Sequence, residues 1–183
     1  ALAGNERMDL SGIWRFQLDP LGFGKTPGSE LYLDKLVETI VLPGSTDQGG
    51  KGIKNNARYV DRLSRKFEYQ GPAWYQREVV VPEEWKGMEI IMDFEGVESA
   101  FYLWINGKRV GYSEDSRLPA HFNISPYLKK GKNRLALKVF LFSDGSYLED
   151  QDYWKYSGIE RSVFIQARPK SRLNDYVLGN ALI

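Results

Sequence analysis

The sequence predicts an all-β protein, an antiparallel sandwich of the jelly-roll kind rather than the immunoglobulin kind. Three observations predict it. Apolar segments are short and rich in β-branched and aromatic residues, Gly and Asn punctuate them at close intervals, and no segment keeps a helical period beyond two turns. In chain order, strands are expected at Val79-Val80-Val81, at residues 89–94, at 101–105, at 134–140 and at 162–165. Residues 134–140 alternate: Leu135, Leu137 and Val139 share one face, and Arg134, Ala136, Lys138 and Phe140 the other. Asn106-Gly107 is the strongest hairpin signal, because both central positions of a type I′ turn want positive φ. It sets Trp104 and Ile105 on opposite faces, one of them in the core. Lys130-Gly131-Lys132-Asn133 marks a second turn. Single helical turns are expected at residues 31–36 and 124–128, and a long Gly-rich excursion over residues 43–73.

Composition narrows the function classes. The 183 residues fit one domain with a large core, with 14% aromatic residues and 42% hydrophobic residues. Twenty-five basic and twenty-four acidic residues leave a net charge of +1, so no broad field for nucleic acid or an anionic membrane is expected. The absence of cysteine excludes disulfides, thiol catalysis and thiolate metal sites, and fits cytoplasm and periplasm alike. No apolar run reaches the ~18 residues of a membrane span. The lone His121 has no partner at metal-ligand spacing.

The chemistry concentrates late. Residues 143–152 (Ser143-Asp144-Gly145-Ser146-Tyr147-Leu148-Glu149-Asp150-Gln151-Asp152) place four acids in a short polar and aromatic run, followed by Tyr153-Trp154. Carboxylates accept hydrogen bonds from hydroxyls and ligate hard cations, and indole rings cover sugar faces, so the run suits sugar or cation contacts. Glu149 and Asp150 read as structural or solvated acids, partners for Arg117 or Arg161, and Trp154 as a packing residue.

Several segments together resemble a known family. They are Leu10-Ser11-Gly12-Ile13-Trp14-Arg15-Phe16, Trp74-Tyr75-Gln76-Arg77-Glu78-Val79, Trp85-Lys86-Gly87, Phe94-Glu95-Gly96-Val97, the Asn106-Gly107 hairpin, Tyr127-Leu128 and Gly131-Lys132-Asn133. They resemble the front domain of glycoside hydrolase family 2, a jelly roll of the galactose-binding-domain-like type. Gly111-Tyr112, Asp115-Ser116-Arg117-Leu118-Pro119 and the 143–152 run are similar to the β-galactosidase branch in particular. The resemblance implies residues 1–170 as the sugar-binding-like domain. Residues 171–183 become a linker and the first strand of a truncated immunoglobulin-like domain, since Asp175-Tyr176-Val177-Leu178 opens a strand and the chain stops on an apolar end.

What the resemblance implies for chemistry is specific. Retaining glycosidases need two carboxyl groups about 5–5.5 Å apart. In the family both are glutamates of a barrel that follows two further domains, so no catalytic residue is assigned here and the chain alone is expected to be inactive. Asp152 is implied to reach that barrel's site, where it binds sodium and the galactose 6-hydroxyl. Glu114 and Asp144 match two positions of a structural magnesium site. Sodium and magnesium are thus expected of the full-length enzyme rather than of the isolated chain. The implied partners are a β-galactoside and the remaining domains of the same polypeptide. One departure stands out: the family's substrate-contacting asparagine before Trp74-Tyr75 is missing, and Gln70 is the nearest amide. Leu42-Pro43-Gly44-Ser45-Thr46-Asp47 also resembles other branches of the family. The alternatives are a free-standing carbohydrate-binding module, which would need exposed coplanar aromatic rings, or the same domain from a β-glucuronidase or β-mannosidase.

Overall fold

A computed structural model of the chain describes residues 6–19, 31, 35–46, 71–114, 118–140 and 158–171. Thirteen strands form among them: β1 (Glu6–Asp9), β2 (Gly12–Leu18), β3 (Glu38–Leu42), β4 (Gly44–Ser45), β5 (Ala73–Val80), β6 (Glu89–Phe94), β7 (Val97–Glu98), β8 (Ala100–Ile105), β9 (Lys108–Ser113), β10 (Ala120–Asn123), β11 (Lys132–Phe140), β12 (Gly158–Ile159) and β13 (Val163–Arg168). They build a six-stranded sheet in the order β3-β2-β5-β11-β8-β9, a four-stranded sheet in the order β1-β13-β6-β10, and a short third sheet, β4-β12-β7. Every pairing is antiparallel. From β5 onward the chain passes repeatedly between the two large sheets, which is how the jelly-roll sandwich closes.

The core lies between the large sheets and follows the period of two. From the six-stranded sheet come Trp14 and Phe16, Tyr75, Phe101 with Leu103 and Ile105, and Leu135 with Leu137 and Val139. The four-stranded sheet answers with Ile90, Met92, Phe94, Val163 and Ile165. The buried Trp14 indole donates to Leu10 O at 2.8 Å, so its polar edge is satisfied without water. Phe94 and Phe101 meet across the sandwich with ring centroids 4.7 Å apart.

The expected hairpin forms. Asn106 has φ 51° and Gly107 φ 78°, and Ile105 is wholly buried while Trp104 lies on the opposite face. Asn106 also ties the turn down: its amide donates to Tyr127 O and Asn133 Oδ1, and its Oδ1 accepts from Arg134 N. A 3-10 turn at Ser125–Tyr127 matches the helical turn expected there, and another, Glu83–Trp85, adds to it. The expected turn over 31–36 is not a helix where it is described, because Leu31 lies in a non-helical turn and Lys35 and Leu36 are irregular. Leu31 and Leu36 instead pack on Trp74. Within the 43–73 excursion, Gly44–Ser45 pairs as a strand, and residues 47–70 lie outside the described residues.

Several strands escaped the sequence reading, among them the two-residue strands β4, β7 and β12 and three edges of the large sheets. β1 is mostly charged, β10 carries His121, and β3 leaves Val41 exposed. Edge strands have one unpaired side and often carry charge that discourages pairing with other chains, so their hydrophobic alternation is weak.

Candidate functional site

Of the site residues expected from the sequence, Glu114 is described. It sits just past β9, exposed, and its carboxylate accepts a 2.7 Å hydrogen bond from the Tyr112 hydroxyl. Asp152, Asp144, Glu149, Asp150, Trp154, Arg117 and Gln70 lie outside the described residues, as do residues 172–183 of the expected further domain. The strands that carry the ends of the 141–157 segment are described. Phe140 closes β11 and pairs with Ala100, and Gly158 opens β12 and pairs with both Ser45 and Glu98. Ser99 N donates to Phe140 O at 2.9 Å, which joins the two anchor points through residues 98–100. Ser113, the last residue of β9, pairs with Phe101 on the same end of the sheet. One end of the sandwich therefore gathers the bases of three segments: 43–46, 113–118 and 141–157.

Close backbone packing holds that end. Gly158 has φ 136°, and a Cβ there would stand 3.0 Å from Gly44 O and 3.2 Å from Ser45 Cα. Only glycine lets β12 approach β4 so nearly. Beyond β12, Glu160 N donates to Gly96 O at 3.2 Å. Burial raises the Glu160 carboxyl above its ordinary value, and the neighbouring Arg161 charge opposes that rise.

The outer face of the six-stranded sheet leads to the same end. Register aligns Gln17, Trp74, Lys138, Tyr102 and Tyr112 in one row across five strands. Lys138 and Asp19 are both buried, with Nζ 3.8 Å from Asp19 Oδ2, and the Trp74 indole donates to that oxygen at 3.1 Å. The ammonium lies 5.2 Å from the Trp74 ring centroid and 5.6 Å from that of Phe140. Trp74 packs on Trp104 at 5.1 Å, and Tyr102 on Tyr112 at 4.7 Å. Sequence reasoning passed over Asp19 and Lys138; the available signal was a lysine on a strand face shared with Ala136 and Phe140.

Trp14, Trp74 and Trp85 are buried and Trp104 is partly buried, so the four described tryptophans pack rather than offer a row of exposed rings. His121, on β10, has an exposed ring whose Nδ1 meets Asp93 Oδ1, and Gln166 Nε2 donates to the other oxygen of that buried carboxylate. Among the described residues no three acids or histidines converge as a metal centre. None of their helices is long and apolar enough to cross a membrane.

Comparison with known proteins decides the family. The family model for the sugar binding domain of the glycosyl hydrolases family 2 matches residues 8–169. The chain belongs to glycosyl hydrolase family 2. Curated relatives include the β-galactosidase of Klebsiella pneumoniae, 40% identical over 96% of this chain and 18% of that protein. The β-galactosidase of Vibrio cholerae is 37% identical over 98% of this chain and 18% of its own length. That of Priestia megaterium is 45% identical over 63% of this chain and 11% of its length. This chain thus spans less than a fifth of the curated relatives it matches. Among solved structures, a β-glucuronidase from Ruminococcus gnavus superposes with a TM-score of 0.73 at 25% identity, covering 93% of this chain and 30% of that one. The Bacteroides uniformis β-glucuronidase gives 0.69 at 25%, covering 91% and 18%. The family 2 sugar-binding domain accordingly accounts for both the sandwich and the segments quoted from the sequence.

Proposed function

We propose that this family 2 domain is the non-catalytic front domain of a β-galactosidase. In that reading it lends Asp152 to a sugar and sodium site completed by a barrel elsewhere in the polypeptide. The observation that carries it is the identity of 37–45% to proteins named β-galactosidase. The β-glucuronidases that share the fold reach only about 25%, which favours the galactosidase branch over the glucuronidase one. Packing of the described tryptophans argues against a free-standing binding module, which relies on exposed rings.

The described anchors support a role for the 141–157 segment. Its base and Glu114 leave the same end of the six-stranded sheet, two strand spacings apart, or roughly 10 Å. The family resemblance is what pairs Glu114 with Asp144 for a hard divalent cation such as magnesium, with water or other segments completing the oxygen shell. Asp152 is suited to sodium and a sugar hydroxyl for the same reason, as a hard anionic acceptor. Residues 171–183 are read as the passage to an immunoglobulin-like domain.

The test uses the longer polypeptide encoded by the gene. Asp152→Ala there should cut hydrolysis of a nitrophenyl β-galactoside strongly, with the melting temperature unchanged and sodium activation lost. The 183-residue chain by itself should show no turnover above a mock purification. Full activity in the Asp152→Ala protein would refute the assignment, and turnover by the short chain would refute the division of labour.

A further inference from the structure

At the far end of β11 from the 141–157 segment, the outer face of the six-stranded sheet carries an open groove of about 500 Å³. Four basic residues, Arg15, Lys35, Lys132 and Arg134, and one acidic residue, Glu78, line it on this face, an excess of three positive charges in a chain whose net charge is +1. Glu78 lies 3.7 Å from Lys132 and 3.6 Å from Arg134, and Arg15 crosses the floor to donate to Leu36 O at 2.9 Å. Lys35 supplies the remaining cation, while Arg77 reaches the groove only at its base, since its guanidinium turns to the other face and donates to Leu10 O and Ser11 O.

The rim of this groove is aliphatic. Among the described residues six large hydrophobic side chains are exposed, and four of them belong here: Ile13 (69%), Val37 (85%), Val41 (65%) and Val80 (55%). Ile13 pairs with Val41 across β2 and β3, Val80 pairs with the groove residue Lys132, and Val37 lies between the groove residues Lys35 and Thr39. A saccharide subsite would present rings for stacking, and no aromatic residue lines the groove. Guanidinium forks framed by exposed aliphatic side chains instead match a protein interface, where arginine is enriched and apolar area is buried at the centre.

We infer that this groove seats an acidic, aliphatic-bearing surface from the rest of the same polypeptide, making it the docking face of the domain. The inference rests on the reading of the chain as one domain of a longer hydrolase. Its support on that side is length: the chain spans 11–18% of its curated β-galactosidase relatives. Carboxylates on the occupant would complement the excess positive charge, and its aliphatic groups would cover the Ile13–Val41 pair. Inter-domain contacts of this mixed character are ordinary within multidomain chains.

Amine labelling tests it. Lys35 and Lys132 are acetylated by a succinimidyl ester in the 183-residue chain and in the longer polypeptide, and rates are read by mass spectrometry. Docking predicts roughly tenfold slower labelling of both lysines in the longer polypeptide, as a packed interface excludes the reagent. The exposed substitution Val41→Asp should restore fast labelling there while the short chain melts close to wild type. Equal labelling in both contexts overturns the proposal. So does protection within the short chain that grows with its own concentration, which means a second copy, or with added sulfated dextran, which means an anionic glycan. Hydrolysis by the longer polypeptide is scored separately. Protection without β-galactosidase activity leaves the docking face standing and removes the functional reading beneath it.

Discussion

Replacing Lys138 by methionine should be strongly destabilising on the outer face of the six-stranded sheet. Methionine conserves most of the side-chain volume, so the perturbation is electrostatic rather than a cavity. Asp19 would stay buried, with the Trp74 indole still donating to Oδ2 but without the ammonium 3.8 Å away. At that separation and an effective dielectric of 20, the lost attraction is about 4 kcal/mol. Breaking one side of a buried pair costs about 3–5 kcal/mol, because the other charge remains desolvated. For a chain of 183 residues, each kcal/mol moves the melting temperature by about 2–4 °C, so a fall of roughly 10 °C is expected. Urea denaturation at neutral pH gives the free energy directly, and the loss should be nearly independent of salt, since buried pairs are weakly screened. Asp19→Asn combined with Lys138→Met should recover most of the loss, because the asparagine oxygen keeps the indole bond and no charge is left buried. A single variant within about 1 kcal/mol of wild type, or a double variant no better than the single, would refute the reasoning.

Three further outcomes follow from single residues. Gly107→Val should destabilise by at least about 1 kcal/mol, since a β-branched residue resists the φ of 78° at the hairpin; an unchanged urea midpoint would count against the turn. Gly158→Ala should cost roughly 2–3 kcal/mol and separate β12 from β4, because its Cβ meets the Gly44 carbonyl, and amide exchange at residues 158–159 would report the separation. Asp9 is held below its ordinary range by hydrogen bonds from the Ser11 hydroxyl and amide, with Arg7 and Arg77 adding to the effect. Its stabilisation is therefore complete above the unfolded carboxylate pKa and is lost as pH falls through the lowered folded value. Asp9→Asn should be less stable than wild type at neutral pH and converge with it in strong acid; a gap that persists unchanged in acid would show that ionisation is not its source.

The sequence by itself determined the fold class, the hairpin at Asn106-Gly107 and the inward face of β11. Each is a local property: side chains alternate with period two, and only a few residues tolerate positive φ. It also determined the family, because the quoted segments are spread over nearly the whole chain and the family model matches residues 8–169. Tertiary structure decided the rest. Lys138 reads as one more polar residue on a strand face until the register sets it beside Trp74 and its ammonium near Asp19, more than a hundred positions earlier. Edge strands β1, β3 and β10 had little alternation to reveal them, since one side of each faces no neighbour. The shared end of the sandwich, where residues 43–46, 113–114, 140 and 158 converge, is a product of strand order alone. So is the cationic groove, whose Arg15, Lys35, Glu78 and Arg134 come from separate stretches. Pairing between distant segments is set by the combined burial of both sheets, and that sum is not written in any one stretch of the chain.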